Sequence, residues 1–302
     1  MRTEGVRKPS YGRSMTQPQA QKILVTGATG TVGRQIVAEL LARGHAVRAL
    51  TRDAAKADLP ADVEVVQGDL TDPDTLIPAL EDVTGLHLIT FGGPYFAPLE
   101  TGPRILDLAR EAGVRRITVL HGGGPTLLED AVRATEDMAW TVLMPVEFMS
   151  NALEWAPGVV ASDEVREPFV TRLSAMVHES DIGAVAAVAL TEQGHAGHEY
   201  VITGPDLLTV EDKVRVIGEA RGRRITLTEL TEDEAVSQWR ASGHPEEVIT
   251  FLLEAYGNTP EVGRTVLDTV EKVTGRPART FTQWATEHAE VFTAQSGWQP
   301  GS

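Results

Sequence analysis

Short apolar runs alternate with amphipathic stretches along the first half of the chain. Residues 22–26 form an apolar strand that runs straight into a glycine-rich turn, and apolar positions at helical spacing follow over 31–43. Further strands are expected at 46–50, 63–67, 86–90, 115–120 and 141–144. Between them, helices are expected from Asp72-Pro73 onward, over 101–112 with Gly113 as the stop, and over 126–135. Proline suits a first helical turn because the N–H it lacks would be unpaired there anyway. Strands alternating with helices argue for a parallel, doubly wound sheet of the α/β class. Ligands of such sheets bind at the carboxyl ends of the strands, which sets Gly27, Thr51, Asp69, Phe91, His121 and Met144 along one rim.

Beyond Pro145 the alternation weakens. The pattern predicts a helix over 181–190 with Asp181 as N-cap, a strand over 199–203, a helix over 209–219 and a strand over 224–230. Helices over 233–256 and 262–273 follow. These segments read as a smaller C-terminal α+β lobe that shapes a substrate pocket. Residues 1–20 are rich in Arg, Ser, Gln and Pro, so they are expected to be a disordered extension, with Met15 as a second candidate start. Residues 21–150 then form the dinucleotide-binding domain, and 151–302 are mainly the lobe.

The turn after the first strand is the most informative motif. It reads G-A-T-G-T-V-G over 27–33, between a strand and a helix. Gly27 permits a sharp turn, Gly30 has no side chain to block a pyrophosphate, and Gly33 lets the helix approach the sheet. With Thr29, Thr31 and Val32 they form a cradle at a helix N-terminus, where free N–H groups and a partial positive charge suit phosphate. The spacing is G-x-x-G-x-x-G, and the context favours a Rossmann-like dinucleotide site over an ordinary tight β-α turn.

The second strand selects the coenzyme. An acid at its end would bond a ribose 2′-hydroxyl and repel a 2′-phosphate. Thr51 stands there instead, followed by Arg52, Asp53 and Lys56. Arg52 can grip phosphate with two N–H groups and Lys56 adds a point charge, so NADP(H) is expected over NAD(H). Asp53 can pair with either cation. Asp69 and Leu70, after the third strand, are candidates for the adenine side, although Asp69 reads equally well as a turn residue. Phe91 and Gly92 complete the expected coenzyme contacts.

Composition narrows the partners. The apolar fraction is 42%, and the net charge of −16 lacks the basic footprint of a nucleic-acid-binding surface. The chain has no cysteine, which excludes disulfides, thiolate catalysis and cysteine-ligated metals. No apolar run approaches a membrane span and the N-terminus lacks an apolar signal core, so a cytoplasmic protein acting on a small molecule is expected. His195 and His198 have no third ligand in view, so no metal site is assigned.

The segments GATGTVG, LTRDAAK, QGDLTDPDTL, ILDLAREAGVRRITVL, WTVLMPVEFMSNAL, ESDIGAVAAVAL, YVITGP and GRPARTFTQWA follow in this order. Together they resemble the NmrA-like branch of the atypical short-chain dehydrogenase/reductase superfamily, over about residues 22–292. The resemblance implies a Rossmann-like fold, NADP(H) binding, and either reduction of a small molecule or redox sensing without turnover. Two departures stand out. Ordinary members of the superfamily use a Tyr-x-x-x-Lys pair, but position +4 from Tyr11, Tyr95, Tyr200 and Tyr256 holds Met15, Leu99, Gly204 and Pro260. After the fifth strand the family has a serine pair and a longer loop, whereas this chain has His121-Gly122-Gly123-Gly124-Pro125.

His121 is therefore the candidate proton donor, or else a histidine that bonds backbone in a tight turn. Tyr95 and Phe96 are candidates to stack on nicotinamide or substrate, or are loop anchors. Glu147, Phe148, Met149 and Asn151 are candidate pocket residues, with Phe148 and Met149 alternatively in the core. The favoured reading is an NADPH-dependent reductase of a small apolar or aromatic carbonyl, quinone or enone. The alternatives are a non-catalytic NADP(H) sensor, or a non-redox isomerase or cyclase on the same scaffold.

Overall fold

The computed structural model describes residues 20–92 and 97–293. Apart from residue 20, the expected N-terminal extension lies outside these residues, as do Tyr95 and Phe96. Seven strands form one parallel sheet: β1 Lys22–Thr26, β2 Ala46–Thr51, β3 Glu64–Gln67, β4 Gly85–Ile89, β5 Arg116–Leu120, β6 Ala139–Pro145 and β8 His198–Ile202. Their order is β3-β2-β1-β4-β5-β6-β8, so the winding reverses between β1 and β4. That reversal opens a crevice at the carboxyl ends of the two strands.

The alternation of side chains along β1 explains the two-sided core. Ile23 and Val25 pack on one face with Ile36 and Leu40 of α1 (Thr31–Ala42) and Ile182 and Val185 of α5 (Glu179–Thr191). Leu24 points the other way, to Ile105 and Leu108 of α2 (Gly102–Glu111) and Leu128 of α3 (Leu127–Arg133). A strand buried on both faces reads as a continuous apolar run, as Ile23-Leu24-Val25 does.

Several expected elements differ in form. The helix expected from Asp72-Pro73 is two short 3₁₀ turns, Pro73–Leu76 and Pro78–Leu80, because Pro78 removes a backbone donor in mid-helix. Buried Arg48 steadies them by donating to the carbonyls of Ala79 and Glu81, each at 2.8 Å. The helix expected over 233–256 is two, α7 Glu232–Ala241 and α8 Glu246–Gly257, divided at Gly243 (φ 84°) and Pro245. The stretch 262–273 holds a 3₁₀ turn, Glu261–Arg264, and the short α9, Thr269–Thr274. Asp181 is not an N-cap. His178 caps α5 through Nδ1, and Asp181, one turn in, accepts from the Arg279 backbone at 2.7 Å and its side chain at 2.5 Å.

The remaining elements gather on the carboxyl side of β6. A second, two-stranded parallel sheet pairs β7 (Glu164–Pro168) with β9 (Thr226–Leu230). With α4 (Ala156–Ser162), α6 (Val210–Ala220) and α10 (Phe281–Glu287) it surrounds a core of Met149, Val165, Met176, Ile217, Phe281 and Trp284. The two aromatic rings of α10 stack at 5.3 Å. Between these lobe segments, the chain returns to the main sheet through α5 and β8. Among the described residues, no helix is long and apolar enough to cross a membrane.

Candidate functional site

The crevice is built first by the glycine turn. Gly27 adopts φ 62°, in the left-handed region, and its carbonyl accepts from Gly30 N–H at 3.0 Å. A Cβ on Gly33 would stand 2.0 Å from that same carbonyl oxygen, so only glycine lets α1 sit this close to the strand end. At the N-terminus of α1, Gly30 supplies no side-chain cap and the first turn holds no acid. The free N–H groups therefore face a cradle that a side chain would otherwise fill, and the residues present fit the pyrophosphate of a dinucleotide.

A cavity of about 470 Å³ lies in front of this turn. Gly27, Thr29, Arg52, Lys56, Asp69, Leu70, Phe91 and Gly92 line it, together with Leu50, Thr51, Asp53, Gly68 and Ile89. Eight of the twelve coenzyme residues expected from sequence thus meet around one space, and Gly30, Thr31, Val32 and Gly33 form the turn behind it. Asp53 settles which cation it takes: its carboxylate lies 3.0 Å from Lys56 and also accepts from Ala55 N–H at 3.2 Å. Among the described residues, no carboxylate lies within ion-pair distance of exposed Arg52. Asp69 is both a cavity wall and a turn residue. Its Oδ1 accepts from the backbone and hydroxyl of Thr71, each at 2.8 Å, and the backbone bond above all holds its carboxyl below the usual range. Arg34, overlooked in the sequence, donates to the Thr29 carbonyl at 2.9 Å and also to the Asp58 carbonyl, tying the glycine turn to the loop after β2.

His121 follows β5 on the same rim. Its N–H donates to the Leu143 carbonyl at 2.9 Å, which accounts for the backbone alone. The ring does something else: Nδ1 lies 2.5 Å from Oε1 of Glu129, a carboxylate with no exposure. Glu129 is fixed in turn by the capping box of α3, where Oε2 accepts from Thr126 N–H at 3.1 Å and its hydroxyl at 3.2 Å. Such a carboxylate sets ring orientation and leaves Nε2, which has no partner among the described residues, as the working nitrogen. The next residue, Gly122, packs on the cavity wall, since a Cβ on it would stand 2.6 Å from Thr90 Oγ1 and 3.3 Å from the Phe91 ring, whereas His121 and Glu129 are not themselves lining residues. Capping-box spacing, Thr126 to Glu129, was visible in the sequence; the carboxylate's second bond to His121 was not.

A third group follows β6. Glu147 Oε2 accepts from Ser174 Oγ at 2.5 Å and from Lys213 Nζ at 3.2 Å, and Lys213 also donates to Ser174 Oγ at 2.7 Å. Lys213 is fully buried. Burial pushes the Glu147 carboxyl up, but Lys213, Ser174 and Arg172 outweigh it and hold the group below its ordinary value. Arg172 extends the network, with Glu167 at 3.3 Å and the Tyr256 ring 3.9 Å below its guanidinium. Burial pushes the Tyr256 phenol well above its usual range. Phe148 is partly buried against the α1–α5 core, Met149 is sealed in the lobe core at 1% exposure, and Asn151 is exposed. Sequence reading missed Lys213 and Ser174 because α6 and the 169–175 loop reach Glu147 only through the tertiary fold. His195 and His198 sit away from this rim, bonded to and stacked on Tyr200.

Comparison with known proteins supports the fold and the coenzyme class. Residues 27–193 match the NAD(P)H-binding family. A (4-alkanoyl-5-oxo-2,5-dihydrofuran-3-yl)methyl phosphate reductase of Streptomyces griseus is 34% identical over 287 residues, covering 90% of this chain and 100% of the relative. An NAD(P)H azoreductase of Xenophilus azovorans is 35% identical over 286 residues, covering 90% and 99%. The crystal structure of an Escherichia coli NADPH-dependent quinone oxidoreductase in complex with NADPH superposes with a TM-score of 0.72 at 23% identity, covering 88% of this chain and 99% of that one. The chain belongs to the NAD(P)H-binding family, on a Rossmann-like fold.

Proposed function

We propose that this protein is an NADPH-dependent reductase of a small apolar or aromatic carbonyl, quinone or enone. The observation that carries the reading is the His121–Glu129 dyad, on the same strand-end rim as the cavity and one residue from Gly122, which packs on Phe91 of the cavity wall. The reductase activities of the two curated relatives support it. Gly27, Thr29, Gly30, Thr31, Val32 and Gly33 hold the pyrophosphate. Arg52 takes a 2′-phosphate with Lys56 beside it, and Asp69, Leu70, Phe91 and Gly92 wall the remainder. The coenzyme, when bound and reduced, supplies a hydride, and the protein must supply orientation and a proton. His121 donates that proton from Nε2 to the substrate oxygen while Glu129 holds the ring through Nδ1. Glu147 and Phe148 bound the substrate. A reduced nicotinamide coenzyme, supplied inside the cell, supports a cytoplasmic location.

Steady-state NADPH oxidation with a panel of quinones and enones tests the reading, with His121→Ala as control. Turnover that falls in the variant while NADPH affinity holds supports it. Tight NADPH binding with no turnover of any acceptor would instead make the chain a redox sensor, the reading favoured by the missing Tyr-x-x-x-Lys pair.

A further inference from the structure

Glu147 lies two residues beyond the end of β6, on the rim that also carries His121. Its backbone is fixed on both sides, since its carbonyl accepts from Val177 N–H at 2.9 Å and Met149 N–H donates to the Val177 carbonyl at 3.0 Å. The carboxylate is held one-sidedly. Both of its hydrogen bonds, from Ser174 and Lys213, go to Oε2. Oε1 has no partner among the described residues, yet it is not among the buried unpartnered atoms, and the side chain keeps 19% exposure.

This is an inefficient way to stabilise a fold. A buried ion pair recovers little beyond its desolvation cost, and an apolar pair of similar volume often does as well or better. What the arrangement produces is a carboxylate held through Oε2 alone, with Oε1 unpaired among the described residues, on a residue that follows a strand at the carboxyl rim of the sheet. We propose that Glu147 Oε1 is a substrate-recognition acceptor, taking a hydrogen bond from an N–H or O–H group carried by the substrate. Ser174 and Lys213 are positioning residues that fix its orientation through Oε2. The inference rests on the reductase reading for where the substrate lies, and it narrows the substrate to an aromatic acceptor bearing an amino or hydroxyl substituent.

Selectivity follows from the cost of the wrong ligand. A site built to bond a donor rejects an isostere lacking it, because the bound analogue strips water from the carboxylate and returns nothing. A matched pair reads this directly: 2-amino-1,4-naphthoquinone and 2-methyl-1,4-naphthoquinone have substituents of similar size, and only one donates. Binding is measured by calorimetry on the full chain saturated with NADP⁺, so that no turnover intervenes. A hydrogen bond to a charged acceptor corresponds to a preference of roughly tenfold or more for the amino compound.

Glu147→Leu combined with Lys213→Met removes both charges together, leaving no unpaired buried ion, and should bring the two affinities together. Glu147→Gln, which keeps the shape, should cut the preference severalfold. Lys213→Met alone should also cut it, with NADP⁺ affinity held. Equal affinities in the wild type, no binding of either probe, or a preference that survives both Glu147 changes would overturn the proposal. A variant that weakens both probes alike preserves the ratio and counts against it. NADPH oxidation with both naphthoquinones and the wider quinone and enone panel is a separate arm: no turnover of any acceptor beside an intact amino preference would end the reductase reading and leave Glu147 as a recognition acceptor for a bound ligand.

Discussion

Asp53 takes Lys56, and not its neighbour Arg52, as its ion partner, at 3.0 Å. The pair lies at the mouth of the coenzyme cavity with both side chains largely in water, so it adds little to stability. On the proposed reading its effect is on selectivity, because one cation is partly neutralised and the other is left to meet a phosphate. Arg52→Ala should weaken NADPH by roughly tenfold to a hundredfold and leave NADH nearly unchanged, as charge-assisted bonds to phosphate are worth about 1.5–3 kcal/mol. Fluorescence titration with both coenzymes checks this, and an equal loss for the two would remove Arg52 from the selectivity determinant.

His121→Ala should lower kcat by about 10²-fold or more, the usual yield of a positioned acid, with NADPH affinity retained. Glu129→Gln keeps a hydrogen-bond partner and should lower kcat less. It also disturbs the capping box of α3, so a Tm decrease is expected with it, from a cap worth about 1 kcal/mol. Stopped-flow and thermal melts separate the two effects; unchanged kcat in His121→Ala would assign the proton to water.

The two glycines at the start of α1 should respond differently to alanine. A Cβ on Gly33 would strike the Gly27 carbonyl oxygen at 2.0 Å, and backbone cannot yield cheaply, so about 1–3 kcal/mol of stability should be lost along with coenzyme binding. On Gly30 the nearest atom would be 3.2 Å away. Gly30→Ala should therefore fold with a Tm close to wild type yet bind NADPH weakly. If both variants lose stability alike, the turn is structural and its role in phosphate binding is not separable.

His87 gives the fold a pH dependence. It is fully buried in β4, its Nδ1 lies 2.8 Å from Thr118 Oγ1, and burial pulls its pKa down to about 3. The unfolded imidazole takes a proton near 6.5, so the neutral folded form is favoured fully above that value and progressively less as pH falls toward about 3. Between about pH 7 and pH 5 this one group should remove about 2 kcal/mol. Urea denaturation of wild type and His87→Leu at both pH values reads the difference; parallel losses in the two proteins would assign the dependence elsewhere.

The sheet was legible in the sequence because its signals are local. Ile23-Leu24-Val25 is apolar through both faces, and the glycines at 27, 30 and 33 mark where the strand must turn and the helix must approach. The same locality made the coenzyme cavity readable, since each lining residue ends a strand or follows one. One failure overlooked a local signal, and the others came where distant chain decides. Pro78 ends a helix that Asp72-Pro73 begins, and the resulting 3₁₀ turns persist because Arg48, from another strand, takes their carbonyls. Strand β7 reads Glu-Val-Arg-Glu-Pro, with no apolar alternation, and exists because β9 pairs with it. Glu129 bonding His121 and Lys213 bonding Glu147 are likewise unreadable from spacing, because the partners meet only after the layers pack.

The pairing of β7 with β9 has a kinetic consequence. One strand precedes α5 and β8 and the other follows them, so the chain must complete the main sheet's last crossover inside the loop that the small sheet closes. Long-range parallel pairing gives its return only after that loop entropy is spent. Topology thereby couples the two sheets: the loop whose ends β7 and β9 bring together is the same chain that supplies α5 and β8 to the large sheet, so the entropy of ordering it is spent on both.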